Sequence, residues 1–290
     1  MRRPRDRMSA ALGRRVLAAV LTSAAFLPAA TAAQSWRTVT MSRVMSGEKS
    51  LDVKVTYGAG TFSMGPAAAG MLYRMQLRYD EDSFRPQAQY EGNELRLGVE
   101  SVGNSVHLGK KRSEGSMDLR LARNVPMDLD LKFGAVRADL DLGGLSLTRL
   151  ELGTGASEST VDISELNAVR MEKATFEVGA ADFEARHLGN LNADDIDVSA
   201  GVGSVTLGFD GNWQRDADVK VNMGLGSLEL RFPEGLGVSL HKDSFLTSLD
   251  SEGLVKRGDR YYSLDWDKAK RKIDIDLNAA FGSVKVVWVR

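Results

Sequence analysis

The sequence predicts an all-β chain folded as a parallel, β-helix-like solenoid of short strands with glycine corners. Three observations carry that expectation. From Met127 to Leu230 one phrase recurs, as MDLDLKFGAVRADLDL, LELGTGASESTVDI, ATFEVGAADFEA, IDVSAGVGSVTLGF and DVKVNMGLGSLEL. Its corner glycines, Gly134, Gly155, Gly179, Gly201 and Gly224, follow one another at 21, 24, 22 and 23 residues, a period typical of stacked repeats. Within each copy apolar and polar residues alternate, which is strand periodicity. In the first copy Met127, Leu129, Leu131 and Phe133 hold the apolar face before Gly134, and Val136, Ala138, Leu140 and Leu142 hold it afterwards. The apolar set moves from odd to even positions, so the chain bends at the glycine and keeps one face inward. One copy has too few inward side chains to offset the ordering of its backbone, so neighbours must share a core. Stacking places Leu131, Leu152, Val178, Val198 and Val221 at similar positions.

In chain order, residues 1–33 read as a secretory signal. Six arginines between Arg2 and Arg15 form a basic head, Val16 to Phe26 is an apolar run, and small residues ending at Ala33 offer cleavage before Ala33 or Gln34. The run is short for a membrane span. Export places the protein in the periplasm or outside the cell. Removing the signal takes the chain from 38 basic and 39 acidic groups to 32 and 38, a mildly acidic balance that argues against a nucleic-acid partner. With no cysteine, disulfides, thiolate metal sites and lipoprotein anchoring are excluded.

Residues 34–126 form an N-terminal β region. Residues 34–48 are polar and read as a loose lead-in. LDVKVTYGAGTFSM, Leu51 to Met64, is an earlier copy of the phrase, and Ala67 to Tyr73 reads as a short helical turn. Leu72 to Tyr79, Gln87 to Tyr90 and Glu94 to Val99 read as strands, the last two joined by a turn at Glu91-Gly92-Asn93. Residues 101–116 form a Gly-, Ser- and Lys-rich loop, and Met117 to Ala122 is a strand. Residues 127–290 hold the repeats. The period breaks after Leu230: an insertion at about 233–270 contains a strand at Val238 to Leu240, a polar stretch and a strand at Tyr261 to Trp266. The phrase returns at Ile273 to Val289 around Gly282, as a C-terminal capping repeat. The insertion is expected to cover the end of the stack against edge-to-edge association.

Four features together resemble a known family. They are LDVKVTYGAGTFSM followed by GMLYRMQLRYD, the Gly-x-Gly-Ser corners, the late GDRYYSLDWDKAKRKIDIDLNAAFGSVKV, and the order of these pieces. The pattern is similar to the toast-rack domain of LiaF-type cell-wall-active antibiotic response proteins and the related putative adhesin family of bacteria, over roughly residues 45–290. The resemblance implies a single-stranded, right-handed β-helix-like fold and a bacterial envelope setting, sometimes in stress regulation. LiaF-type members usually carry several membrane helices ahead of this domain, where this chain has only its signal. The resemblance supplies no catalytic residues.

The candidate chemistry is sparse. Carboxylates such as Asp128/Asp130, Asp139/Asp141 and Asp274/Asp276 have the spacing of solvent faces of alternating strands. Asp194 and Asp195, beside Asn190 and Asn192, are the least strand-like and are the candidate calcium ligands. His107, His187 and His241 lack the paired spacing of zinc sites. No Gly-x-Ser-x-Gly elbow is present, and the Gly-x-Gly corners lack the following helix that cradles phosphate. Tyr261, Tyr262 and Trp266, with Trp213 elsewhere on the stack, are candidate binding aromatics. They serve equally as amphipathic cover for the end of the core. Lys268, Lys270, Arg271 and Lys272 form a small basic cluster.

These readings predict a non-enzymatic exported protein that works by surface recognition of an envelope protein or cell-wall polymer, with no cofactor. The alternative is a glycan-active β-helix enzyme using surface carboxylates. A small outer-membrane barrel is disfavoured, because the phrases break at glycine after about seven residues, short of the about 9–11 of a spanning strand.

Overall fold

In the computed structural model, residues 35–102 and 115–290 are described. The signal segment 1–33, its cleavage positions, His107 and most of the loop at 101–116 lie outside the described residues. The described chain is almost all strand: β1 (Trp36–Val44), β2 (Leu51–Pro66), β3 (Met71–Asp80), β4 (Phe84–Glu91), β5 (Glu94–Ser101), β6 (Ser116–Leu121), β7 (Pro126–Asp141), β8 (Ser146–Asp162), β9 (Met171–Arg186), β10 (Ala193–Gly208), β11 (Ala217–Pro233), β12 (Gly237–Asp250), β13 (Leu254–Arg257), β14 (Arg260–Ser263) and β15 (Lys272–Val289). A 3-10 turn at Leu188–Leu191 is the one helical element among the described residues. None of the described helices is long and apolar enough to cross a membrane.

Chain geometry forces each long strand to fold back on itself. β7 has 16 residues, about 50 Å if straight. Only Leu142 to Leu145 separate it from β8, a reach of at most about 18 Å. Yet Pro126 lies beside Ser146 at the start of β8. The strand therefore doubles back at its glycine corner into two legs, and a short segment closes the turn. The core lies between the legs, with Leu129 and Leu131 from the first and Ala138 and Leu140 from the second, all buried. Parallel pairing carries this rung onward through β8, β9, β10 and β11. One core column runs Leu131, Leu152, Phe176, Val198, Val221 and Leu277. Phe176, not the expected Val178, holds the third place, since the 24 residues from Gly155 to Gly179 carry Leu152 onto Phe176.

Where a corner carries two glycines, as at Gly201/Gly203 and Gly224/Gly226, they have different work. The first is not in a positive-φ conformation; a Cβ there meets the carbonyl oxygen of the previous corner, at 2.5 Å for Gly224 against Gly201. The second does need positive φ: Gly203 and Gly226 both have φ 140°. Bending and close stacking of corners are thus separate demands on the sequence.

Asparagines staple the closing side. Asn167 is buried; its amide donates to the Leu147 and Leu191 carbonyls (2.8 and 3.0 Å) and accepts from the Leu147 N–H (3.0 Å). Asn190 donates to Ile163 O, and Asn192 to the carbonyls of Asn167 and Val169. These side chains satisfy the backbone groups left unpaired where the strand ladder stops.

At the N-terminal end the rung divides. β2 stacks on β7 along both legs. Beyond it, the first leg continues as β5 and β4, and the second as β6, β3 and β1. The lead-in at 34–48 is thus mostly strand, with Val39 and Met41 packed on the core. The expected helical turn at Ala67 to Tyr73 is a tight turn at 69–70 leading into β3. The polar cover of these segments conceals half-buried strands, since each shows only one apolar face.

The C-terminal end departs from simple order. β12 does not pair with β11; β15 lies between them, parallel to both. The chain skips a place after β11 and fills it with its last strand. The final copy therefore does not end the stack. β12 lies outside it, followed by the antiparallel hairpin β14–β13. The polar stretch that begins at His241 continues the first leg of β12 through Ser244, extended although polar.

Candidate functional site

Two surfaces stand out from the regular rungs. The first is the edge hairpin. Its two-residue turn, Gly258-Asp259, has the glycine at φ 68°. Arg260 fastens the hairpin to the stack through Ser239 Oγ (2.8 Å), Asp274 and Asp276. Buried Ser263 accepts the Val238 N–H (3.0 Å). On this base the Tyr262 and Trp266 rings meet edge-on at 5.2 Å. Arg257 stands over Tyr262, Lys272 over Trp266 at 4.8 Å, and Lys256 over Tyr261.

Successive side chains of a strand face opposite ways. Tyr261 accordingly packs on the core while Tyr262 joins Trp266 on the other face. Trp213 follows β10; its indole N–H donates to Phe209 O (2.7 Å) and its ring rests on the core. Arg271 reaches the Trp213 carbonyl (3.2 Å), but the Trp213 ring makes no recorded contact with Tyr262 or Trp266 among the described residues. Of the four candidate aromatics, the structure joins two.

The segment 254–272 carries seven basic residues (Lys256, Arg257, Arg260, Lys268, Lys270, Arg271 and Lys272) against three acidic ones, Asp259, Asp265 and Asp267. Arg257 and Arg260 are engaged with carboxylates, leaving the lysines around the aromatic pair to set the local field.

The second surface is the glycine corner itself. A groove of about 1070 Å³ runs across the corners from β7 to β12, with glycine at several floor positions, among them Gly179, Gly201 and Gly224. Beside it one residue of each corner stands at the apex, the middle residue of Gly-x-Gly in β10 and β11 and its register partner in β15 and β12. Val202 is 50% exposed, Leu225 51%, Phe281 45% and Leu246 63%, in register on adjacent strands. Alternation gives this residue no inward place, which is the sequence signal for the ridge; strand periodicity read leg by leg passes over it.

Asp194 is held by Arg170 (2.7 Å) and Arg215 (3.3 Å). The hydrogen bond from Arg170, with Arg215 behind it, keeps its carboxyl below the usual carboxylate range. Asp195 pairs in register with Lys173 and Asp218. Among the described residues no group of three or more His, Asp or Glu is arranged to hold a metal ion. His187 instead bridges Asp162 (2.6 Å) and Asp210 (3.2 Å) on neighbouring rungs.

No curated protein matches the chain. Solved structures do. A putative cell adhesion protein from Clostridium sporogenes aligns with TM-score 0.47 and 16% identity, over 87% of this chain and 100% of that one. A putative adhesin from Bacteroides fragilis aligns with TM-score 0.36 and 14% identity, over 87% and 97%. A putative lipid binding protein from Parabacteroides distasonis aligns with TM-score 0.40 and 10% identity, over 88% and 97%. The family model described as the N-terminal domain of toast_rack, DUF2154, matches residues 31–186 and again 173–231. These spans cover most of the rungs from β2 to β11, and the chain belongs to that toast-rack family.

Proposed function

We propose that the protein is a non-enzymatic, exported recognition module of the cell envelope, with the β13–β14 end as its binding face. The observation that carries this reading is the Tyr262–Trp266 pair ringed by Arg257 and Lys272, in a locally basic segment of a chain that is otherwise mildly acidic. Aromatic faces with lysines free to move suit an acidic envelope protein or an anionic cell-wall polymer. The stack serves as a rigid base, and binding falls to the irregular segment it holds. Trp213 and Tyr261 support the face from behind, and Asp194 ties the closing side through Arg170 and Arg215.

The test is retention of envelope extract and of purified wall polymer on the immobilised protein, compared with a Tyr262→Ala/Trp266→Ala variant. Both residues are half-buried at an edge, so the variant is checked for folding by circular dichroism. Specific retention that the double variant loses supports the reading. Equal retention by both, or none by well-folded protein, contradicts it.

A further inference from the structure

From the corner ridge we infer that this surface is a self-association site: two copies dock ridge against ridge about a two-fold axis through β10. This does not depend on what the hairpin binds.

The argument starts from the apex column. In register it reads Ala135, Ala156, Ala180, Val202, Leu225, Phe281 and Leu246, along β7, β8, β9, β10, β11, β15 and β12. Three small residues precede Val202 and three large ones follow. A two-fold axis perpendicular to the stack, centred on β10, reverses that order in the second copy. Leu225 then faces Ala180, Phe281 faces Ala156 and Leu246 faces Ala135, while Val202 meets itself. Each bulky side chain meets a small one, which is the complementarity an isologous contact requires. A parallel arrangement sets large against large and leaves gaps between alanines.

Charge gives the same answer independently. The outward column on the groove's other side reads Lys132, Gly153, Glu177, Ser199, Asn222, Asn278 and Asp243 over the same strands. The two-fold axis brings Lys132 opposite Asp243 of the second copy and Glu177 opposite Asn222, with no like charges facing. The column beyond the ridge ends in Ser204, Ser227, Ser283 and Ser248, so the large half of the ridge has a neutral rim. Beside the small half the same column reads Arg137, Glu158 and Asp182, which the two-fold axis sets against serines of the second copy; an apolar centre with a polar rim has the make-up of a protein interface. The two ridges share the strand spacing of about 4.8 Å, so the copies mesh rung for rung over about 29 Å. Such a strip lies at the small end of specific interfaces, and a micromolar dimer is expected.

Sedimentation equilibrium of the purified chain tests this. The expected result is a monomer–dimer equilibrium weakened about tenfold or more by Leu225→Asp. Lys132→Asp alone should weaken it, and adding Asp243→Lys should restore it, which a merely destabilising change would not do. The chain has no cysteine, so Val202→Cys places one thiol at the proposed axis. It should form a disulfide dimer under mild oxidation, whereas exposed Glu172→Cys should not. A monomer up to near-millimolar concentration overturns the inference, as does a dimer indifferent to these changes. A monomer that sediments with phosphatidylcholine vesicles through Leu225 assigns the ridge to a lipid surface instead, and also overturns it.

Discussion

At the scale of single residues, the corner glycines make the sharpest test. A Cβ on Gly226 stands 1.9 Å from the Gly203 carbonyl oxygen, in a backbone with φ 140°. Gly226→Ala should cost about 3–4 kcal/mol in urea unfolding. Gly153 lines the corner groove with nothing near its missing Cβ, and Gly153→Ala should change stability by less than about 1 kcal/mol. Equal costs at both sites contradict the steric account. Asn167→Ala removes three hydrogen bonds and strands buried backbone groups, so about 3 kcal/mol should be lost. Asp194 carries a pH prediction. Its carboxyl is held low in the fold, so it contributes stability above the unfolded value of about 4, and that contribution is lost as pH falls through its folded value. Asp194→Asn should weaken the protein at neutral pH and flatten the acid limb of its stability curve. An unchanged acid limb would assign the acid sensitivity to other carboxylates, such as Glu184, held low chiefly by Arg186.

At the scale of elements, legibility in the sequence follows how strongly one face is buried. The rungs from β7 to β11 are legible because both legs alternate cleanly and the glycines mark the bend. β1 is not, because Trp36 to Val44 exposes most of its side chains and only Val39 and Met41 report a core. The end of the first leg of β12 is likewise hidden behind Lys242, Asp243 and Ser244. Of the candidate site, Tyr262 and Trp266 are legible as neighbours in sequence. The ridge appears only once strands are set side by side, since each Gly-x-Gly contributes a single residue. The asparagine staples escape sequence reading for a related reason: each bonds to a rung more than twenty residues away. The place of β15 is also a long-range matter. Its phrase matches any rung edge, and only pairing on both sides puts it between β11 and β12.

At the scale of the whole stack, each rung depends on its neighbours, so an interior rung matters more than an edge. β15 is interior although it ends the chain. Truncation after Arg271 should cut β12 and its hairpin off from the stack and make residues 237–271 open to protease, while β7 to β10 stay resistant. Removing the β13–β14 hairpin alone should leave the rungs protected. If truncation leaves 237–271 resistant, the inserted position of β15 is contradicted. The proposed function divides labour along the same layout: buried ladders for rigidity, and the β13–β14 hairpin for binding. Hydrogen exchange of the protein with and without envelope material tests that division most directly. Slowed exchange at 254–272, with the rungs from β7 to β10 unchanged, is the predicted footprint; protection confined to the rungs, with none at the hairpin, would contradict it.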